Sequence, residues 1–181
     1  MEDDGHDFEF VEGFLQCPMS PGVEALSLPN QSFYAFYDPD SLVTLHDAIS
    51  RLHEYVLMEG PFDAVMGFSS GAVLAALYIA ELQQQGKEVP FKCGIFLASA
   101  DSAAEMRHLG LESQTEMIRI PTAHIWGSND VTAPMGGKEL SQICKVETRH
   151  TLVHDGVHEI PRKHNLTETV HAIRRTLGLV G

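Results

Sequence analysis

Three side chains in this chain have the types and the order needed for acyl transfer through a covalent serine intermediate. Ser69 lies in Gly67-Phe68-Ser69-Ser70-Gly71. The apolar run Phe62 to Met66 precedes it and the helical pattern Ala72 to Gln85 follows it. A strand, a sharp turn and a helix hold a serine with its hydroxyl exposed, provided that its neighbours are small. Gly67, Ser70 and Gly71 meet that demand, and the Ser70 N–H at the helix start would face a developing oxyanion. A glycine-rich turn with an incidental serine is the plain alternative. Asp130 ends Ile125-Trp126-Gly127-Ser128-Asn129-Asp130, and His158 ends His154-Asp155-Gly156-Val157-His158. Each follows a strand-like run. In this reading His158 takes the Ser69 proton and returns it to the leaving group, while Asp130 fixes the imidazole tautomer.

Each partner has a competitor. Asp130 suits an ordinary loop cap. Asp101 also follows a strand and is the rival acid. His150, His154 and His158 are spaced four apart, which on a helix would suggest a metal face. Asp155-Gly156 breaks such a helix, so His150 reads as a surface residue and His154 as a structural partner, with no metal and no cofactor expected.

Alternating strands and helices must position these groups. Phe8 to Val11 reads as a short strand and Cys17 to Tyr37 as irregular structure. Ser41 to Met58 has helical spacing with Ser41 as N-cap, and Phe62 to Phe68 is the strand before the turn. Ala72 to Gln85 is a helix closed by Gly86. Cys93 to Ala98 is a continuous apolar run, as in a buried parallel strand. Ala103 to Leu109 reads as a short helix, Pro121 to Trp126 as a strand, Gly136 to Cys144 as a helix, Glu147 to Val153 as the last strand and Leu166 to Leu177 as an amphipathic helix. This order predicts one α/β domain over 1–181, with a mostly parallel sheet flanked by helices and the site at the carboxyl ends of the strands.

Composition excludes other classes. With 12 basic and 25 acidic residues the formal charge is −13, which repels nucleic-acid phosphates and anionic lipid. No apolar run reaches the roughly 20 residues of a membrane span. The acidic start Met1-Glu2-Asp3-Asp4 is unlike a secretory leader. Cys17, Cys93 and Cys144 are too few and scattered for a disulfide framework. The expectation is a cytoplasmic protein acting on a small molecule.

Gly60-Pro61-Phe62-Asp63-Ala64-Val65-Met66-Gly67-Phe68-Ser69-Ser70-Gly71-Ala72, Pro121-Thr122-Ala123-His124-Ile125-Trp126-Gly127 with Asp130 and Pro134, and His154 to Pro161 resemble the three signature segments of the fungal family serine hydrolases, which include the ovarian-cancer-associated serine hydrolases. Phe8 to Gly13, followed by Cys17-Pro18 and Pro21-Gly22, is similar to that family's second strand and the loop beyond. The resemblance implies an α/β-hydrolase fold without a large lid. It implies cleavage of carboxylic esters or acyl thioesters, including release of polyketide acyl chains from a carrier in secondary metabolism. Lactonisation or ring closure would use the same acyl-enzyme. The aromatic segment Phe33, Tyr34, Phe36, Tyr37 is the candidate substrate groove, with core packing as the alternative.

The chain departs from the family at Ser70, where glutamine is usual, and at Val157, where glycine is usual. The 181 residues also hold no counterpart of the family's first strand and its Leu-His-Gly-x-Gly loop, which supplies a second oxyanion donor. Three expectations follow from that difference: a shortened chain or gene model, a sheet in which the Phe8 strand takes the vacant place, or a catalytically impaired protein that binds a ligand or partner.

Overall fold

The computed structural model describes residues 5–20, 23, 27–111, 115–162 and 165–180. Pro21 and Gly22, and the acidic start of the chain, lie outside the described residues. Its centre is a parallel sheet of four strands, β3 (Ala64–Phe68), β4 (Cys93–Leu97), β5 (Thr122–Gly127) and β6 (Arg149–His154), side by side in chain order. Parallel neighbours need crossovers, and helices supply them. They are α2 (Ser70–Gln84), α3 (Ala103–His108) and α4 (Gly136–Gln142), with α1 (Val43–Glu59) before the sheet and α5 (Leu166–Leu177) after it. A separate antiparallel pair, β1 (Leu15–Cys17) with β2 (Phe33–Ala35), lies outside that sheet.

Two apolar layers sandwich the sheet. On one face α2 is buried almost all round, from Ala72 to Ala80 and at Leu82, and α1 packs Leu45, Ile49, Leu52 and Val56 into the same cluster. Alanines at 72, 75, 76 and 80 let this helix lie close to its neighbours. On the other face Ile95, Leu97, Ala123 and Ile125 meet Ile173 and Leu177 of α5. All five residues of β4 are buried, as the unbroken apolar run requires of a central strand.

Helix ends follow local chemistry. Gly86, at φ +67°, closes α2. Its N–H bonds Gln83 O at 3.1 Å and the Lys87 N–H bonds Leu82 O at 2.9 Å, the paired arrangement of a Schellman cap. Ser41 is not the N-cap of α1. That position is Leu42, without a side-chain cap. Thr44 orders this turn instead: its hydroxyl accepts the Asp38 N–H and donates to the Ser41 carbonyl, both at 2.8 Å.

The N-terminal expectation also changes. Residues 8–11 form no strand. Phe8, Phe10 and Val11 are exposed, so an apolar alternation is present that pairs with no strand. The strands of this region are β1 and β2, two short pieces within or beside the stretch read as irregular. The Phe8 segment therefore does not fill a place beside β3. The outer edge of β3 has no strand partner among the described residues, and Met66 and Phe68 are correspondingly exposed. No helix among the described residues is long and apolar enough to cross a membrane.

The α2 layer sets the stability of the sheet face that carries Ser69. Leu77 is fully buried, so Leu77→Ala is expected to cost about 2–5 kcal/mol, read as a lowered urea midpoint with unchanged slope.

Candidate functional site

Three loops leave the carboxyl ends of β3, β5 and β6 and meet above the sheet. The first is a single strained residue. Ser69 has φ +52° and ψ −122°, a conformation that costs a non-glycine residue roughly 1–3 kcal/mol. Its N–H is bound to Leu97 O of β4 at 3.1 Å, and its carbonyl accepts the N–H groups of Ala72 and Val73. Strand and helix thus fix the turn from both sides. The turn also demands glycine at 67. A Cβ there would lie 2.5 Å from Gly71 O and 2.6 Å from the Ala72 backbone.

Serine is a favoured N-cap because its hydroxyl can accept a helix N–H. Ser69 occupies the N-cap of α2 but makes no such bond. Its Oγ lies 2.9 Å from His158 Nε2 instead. His158 Nδ1 lies 2.7 Å from Asp130 Oδ2, and the other carboxylate oxygen accepts the Thr132 and Ala133 N–H groups at 2.9 Å each. Asp130 is buried and His158 is partly open to solvent. Burial alone would raise the Asp130 pKa. The Ala133 N–H, the hydrogen bond and charge of His158 and the Thr132 N–H outweigh it, holding the carboxyl below its usual range. The arrangement can pass a proton from a hydroxyl to an imidazole and stabilise the cation that forms.

Asp101 does not share this site. Its Oδ1 accepts the Met135 N–H at 3.2 Å, on the loop before α4. The three histidines spaced four apart do not converge either. His150 is not a surface residue: it is half-buried, and its Nδ1 lies 3.0 Å from Thr176 Oγ1 of α5. His154 is buried, with Nδ1 accepting the Gly156 N–H, and His158 has both ring nitrogens engaged. His124 of β5 is fully enclosed, its Nε2 beside Thr122 Oγ1. Burial, helped by the Arg149 charge, pushes its pKa down to about 3, so it stays neutral.

The aromatic segment divides. Phe36 reaches the start of α2, where a Cβ on Gly71 would lie 3.3 Å from its ring. Phe33 is half-buried and Tyr34 exposed on β2. Tyr37 is in the core, with its hydroxyl donating to buried Glu105 at 3.0 Å; burial first, then the Glu105 charge, raises its pKa. Tyr37 is therefore committed to packing and does not line a groove. Around Ser69, His158 and Asp130 stand exposed apolar side chains from the end of β3 and from the loops after β5 and β6. Phe68 packs on the His158 ring with centroids 5.3 Å apart, and Val131 and Val157 are open to solvent.

The loop partners were the part that residue types did not announce. Asn129 bonds the histidine loop twice, through its N–H to Gly156 O at 3.1 Å and through Nδ2 to Asp155 O at 2.6 Å. The Asn-Asp pair was visible as a turn signal, but its reach to residues 155 and 156 depends on the β5–β6 pairing.

Known proteins share this architecture. A family model described as serine hydrolase (FSH1) matches residues 1–170. Esterase FPY3 of Fusarium mangiferae is 38% identical over 165 residues, 87% of this chain and 74% of that protein. Esterase OVCA2 of Bos taurus is 32% identical over 132 residues, 71% of this chain and 56% of that protein. Among solved structures, Arabidopsis thaliana SOBER1 superposes with a TM-score of 0.58 at 14% identity, over 88% of this chain and 81% of that one. The fold is that of the α/β-hydrolases, and the chain belongs to the serine hydrolase (FSH1) family.

Proposed function

We propose that this protein cleaves carboxylic esters or acyl thioesters through an acyl-enzyme on Ser69. The observation that carries this reading is the unbroken hydrogen-bonded run Ser69 Oγ, His158, Asp130 at a strained turn. In the proposed sequence Ser69 Oγ attacks the acyl carbon while His158 Nε2 takes its proton. Asp130 remains ionised, holds Nδ1–H and stabilises the imidazolium. His158 then protonates the departing alcohol or thiol as the carbon–oxygen or carbon–sulfur bond breaks. A water molecule repeats the cycle in the second half: His158 deprotonates it, the acyl bond to Ser69 breaks, and Ser69 recovers the proton.

The tetrahedral oxyanion needs donors. The first N–H groups of a helix have no intrahelical acceptor, and α2 begins at Ser70. Ser70 N–H is the proposed donor, and the departure from glutamine leaves this backbone role unaffected. The exposed apolar side chains Phe68, Val131 and Val157 around the site suit an apolar acyl group, and Phe33, Tyr34 and Phe36 are the remaining candidates for its groove. A cytoplasmic location belongs to the same proposal, since Cys17, Cys93 and Cys144 are free thiols.

One observation favours a second reading, a binding protein with weak turnover. No strand among the described residues pairs with the outer edge of β3, and the Ser70 N–H is the one oxyanion donor assigned among them. Loss of one such donor costs about 10²- to 10³-fold in kcat. The two readings separate with a fluorophosphonate probe and p-nitrophenyl butyrate or acyl-N-acetylcysteamine substrates. The hydrolase reading expects labelling and turnover in the wild type. It expects neither labelling nor a rate above about 10⁻⁴ of wild type in Ser69→Ala. A folded wild type that is not labelled sinks it, and labelling without turnover supports the binding protein.

Asp130 gives an independent check on its own environment. Its pKa is depressed in the folded state. The stabilisation is thus complete above the ordinary carboxylate value, about 4, and lost as pH falls through the depressed one. Asp130→Asn is expected to remove this part of the acid sensitivity, so that its Tm falls less than that of the wild type between about pH 5 and pH 2. The same variant is expected to lower kcat about 10⁴-fold at neutral pH.

A further inference from the structure

His154 and Asn129 touch neither Ser69 nor Asp130 in any hydrogen bond described above, yet both act on the loop that carries His158. β5 and β6 end on one rung, where Gly127 is paired with His154. From that rung the chain reaches Asp130 in three residues and His158 in four. Such short connections leave the direction of the imidazole to the shape of the turn 154–157.

Four contacts set that shape. His154 is 5% exposed, and its Nδ1 accepts the Gly156 N–H at 3.0 Å. An accepting Nδ1 puts the proton on Nε2, which is buried without a hydrogen-bond partner among the described residues. The His154 carbonyl accepts the Ser128 N–H at 2.7 Å. Asn129 accounts for the other two bonds, to Gly156 O and Asp155 O. Space is equally constrained. A Cβ on Gly156 would lie 2.7 Å from His154 Nδ1 and 2.6 Å from Glu159 Oε1, and one on Gly127 would lie 2.3 Å from Gly156 O. The acid loop and the base loop are therefore one bonded unit.

We propose that His154 and Asn129 are positioning residues that together aim the His158 imidazole between Asp130 and Ser69: the His154 ring supplies the acceptor that closes the turn, and Asn129 ties that turn to the acid loop. A buried ring that keeps one nitrogen for a backbone N–H two residues ahead, and leaves the other unpartnered, is a costly way to fill a core site. The geometry of the turn is what it secures. The effect on turnover rests on the hydrolase reading, whereas the effect on the His158–Asp130 bond does not.

The test compares wild type with His154→Leu, His154→Asn and Asn129→Ala. Asparagine can offer its side-chain oxygen to the N–H two residues on, as in an Asx-turn, and leucine cannot. The first readout is the far-downfield proton resonance of the His158 Nδ1–H bonded to Asp130. The second is kcat and KM on p-nitrophenyl butyrate, with fluorophosphonate labelling alongside. In His154→Leu the resonance is expected to shift or vanish, and kcat to fall about 10- to 100-fold with KM nearly unchanged. His154→Asn is expected to recover both to within a few-fold of wild type, and Asn129→Ala to show a smaller change of the same kind. A wild-type resonance in His154→Leu, or a His154→Asn variant no better than His154→Leu, overturns the proposal. Should His154→Leu fail to fold, an unshifted resonance in the exposed-loop variant Asn129→Ala overturns it. A wild type that does not label fails as a hydrolase, and the resonance series still decides the positioning role.

Discussion

The strained backbone of Ser69 is the constraint on which the site depends. At φ +52° the chain leaves β3 and enters α2 within one residue, so the hydroxyl stands clear of both elements. A conformation of this kind persists only where the surroundings over-determine it. Here the surroundings are the Leu97 carbonyl on the strand side, the Ala72 and Val73 N–H groups on the helix side, and the space left by Gly67. Behind them lies α2, whose buried face runs without a break from Ala72 to Ala80. The helix cannot tilt to relieve the turn without opening the core.

The sheet topology supplies the rest by a geometric economy. Parallel strands point the same way, so loops after β3, β5 and β6 emerge together. β4 separates β3 from β5, and its continuation does not provide the acid. Asp101 follows β4 but turns toward Met135, steadying the loop before α4. Asp130 follows β5 and folds back on its own Thr132 and Ala133 N–H groups. Those two bonds consume one carboxylate oxygen and aim the other at His158. The choice between the two aspartates is thus made by backbone donors two and three residues downstream of Asp130.

Much of this was legible in residue order. A continuous apolar run marked β4, the 166–177 helix had its observed ends, and Ser69, Asp130 and His158 each stood just after a strand. What was not legible were features that depend on a partner far along the chain. Phe8 to Val11 alternates like a strand, but a strand exists only against a neighbour, and its apolar side chains stay exposed. Ser41 has the chemistry of a cap, yet Thr44 reaches the Asp38 and Ser41 backbone groups first. Tyr37 belongs to the same aromatic cluster as Phe36, but only Glu105, far along the chain, withdraws it into the core. His150 reads as a surface residue until α5 brings Thr176 to it.

The same reasoning explains why residues of the candidate site violate local rules. Ser69 gives up its capping bond, which is worth about 1 kcal/mol, because its Oγ is directed at His158. The Ser69 carbonyl takes the Ala72 and Val73 N–H groups, and those of Ser70 and Gly71 find no backbone acceptor among the described residues, a liability for a structural helix and, in the proposed mechanism, an asset for meeting an oxyanion. His154 leaves a buried N–H without a partner among the described residues. These departures gather at one end of the sheet, and the compensation sits elsewhere. Fully burying one leucine or isoleucine is worth about 1.5–3 kcal/mol, and α2 alone buries Leu74, Leu77, Ile79 and Leu82. A helix that merely closed a βαβ crossover would have no need of such a surplus. In this chain it is what allows a serine to be held where neither strand nor helix would put it.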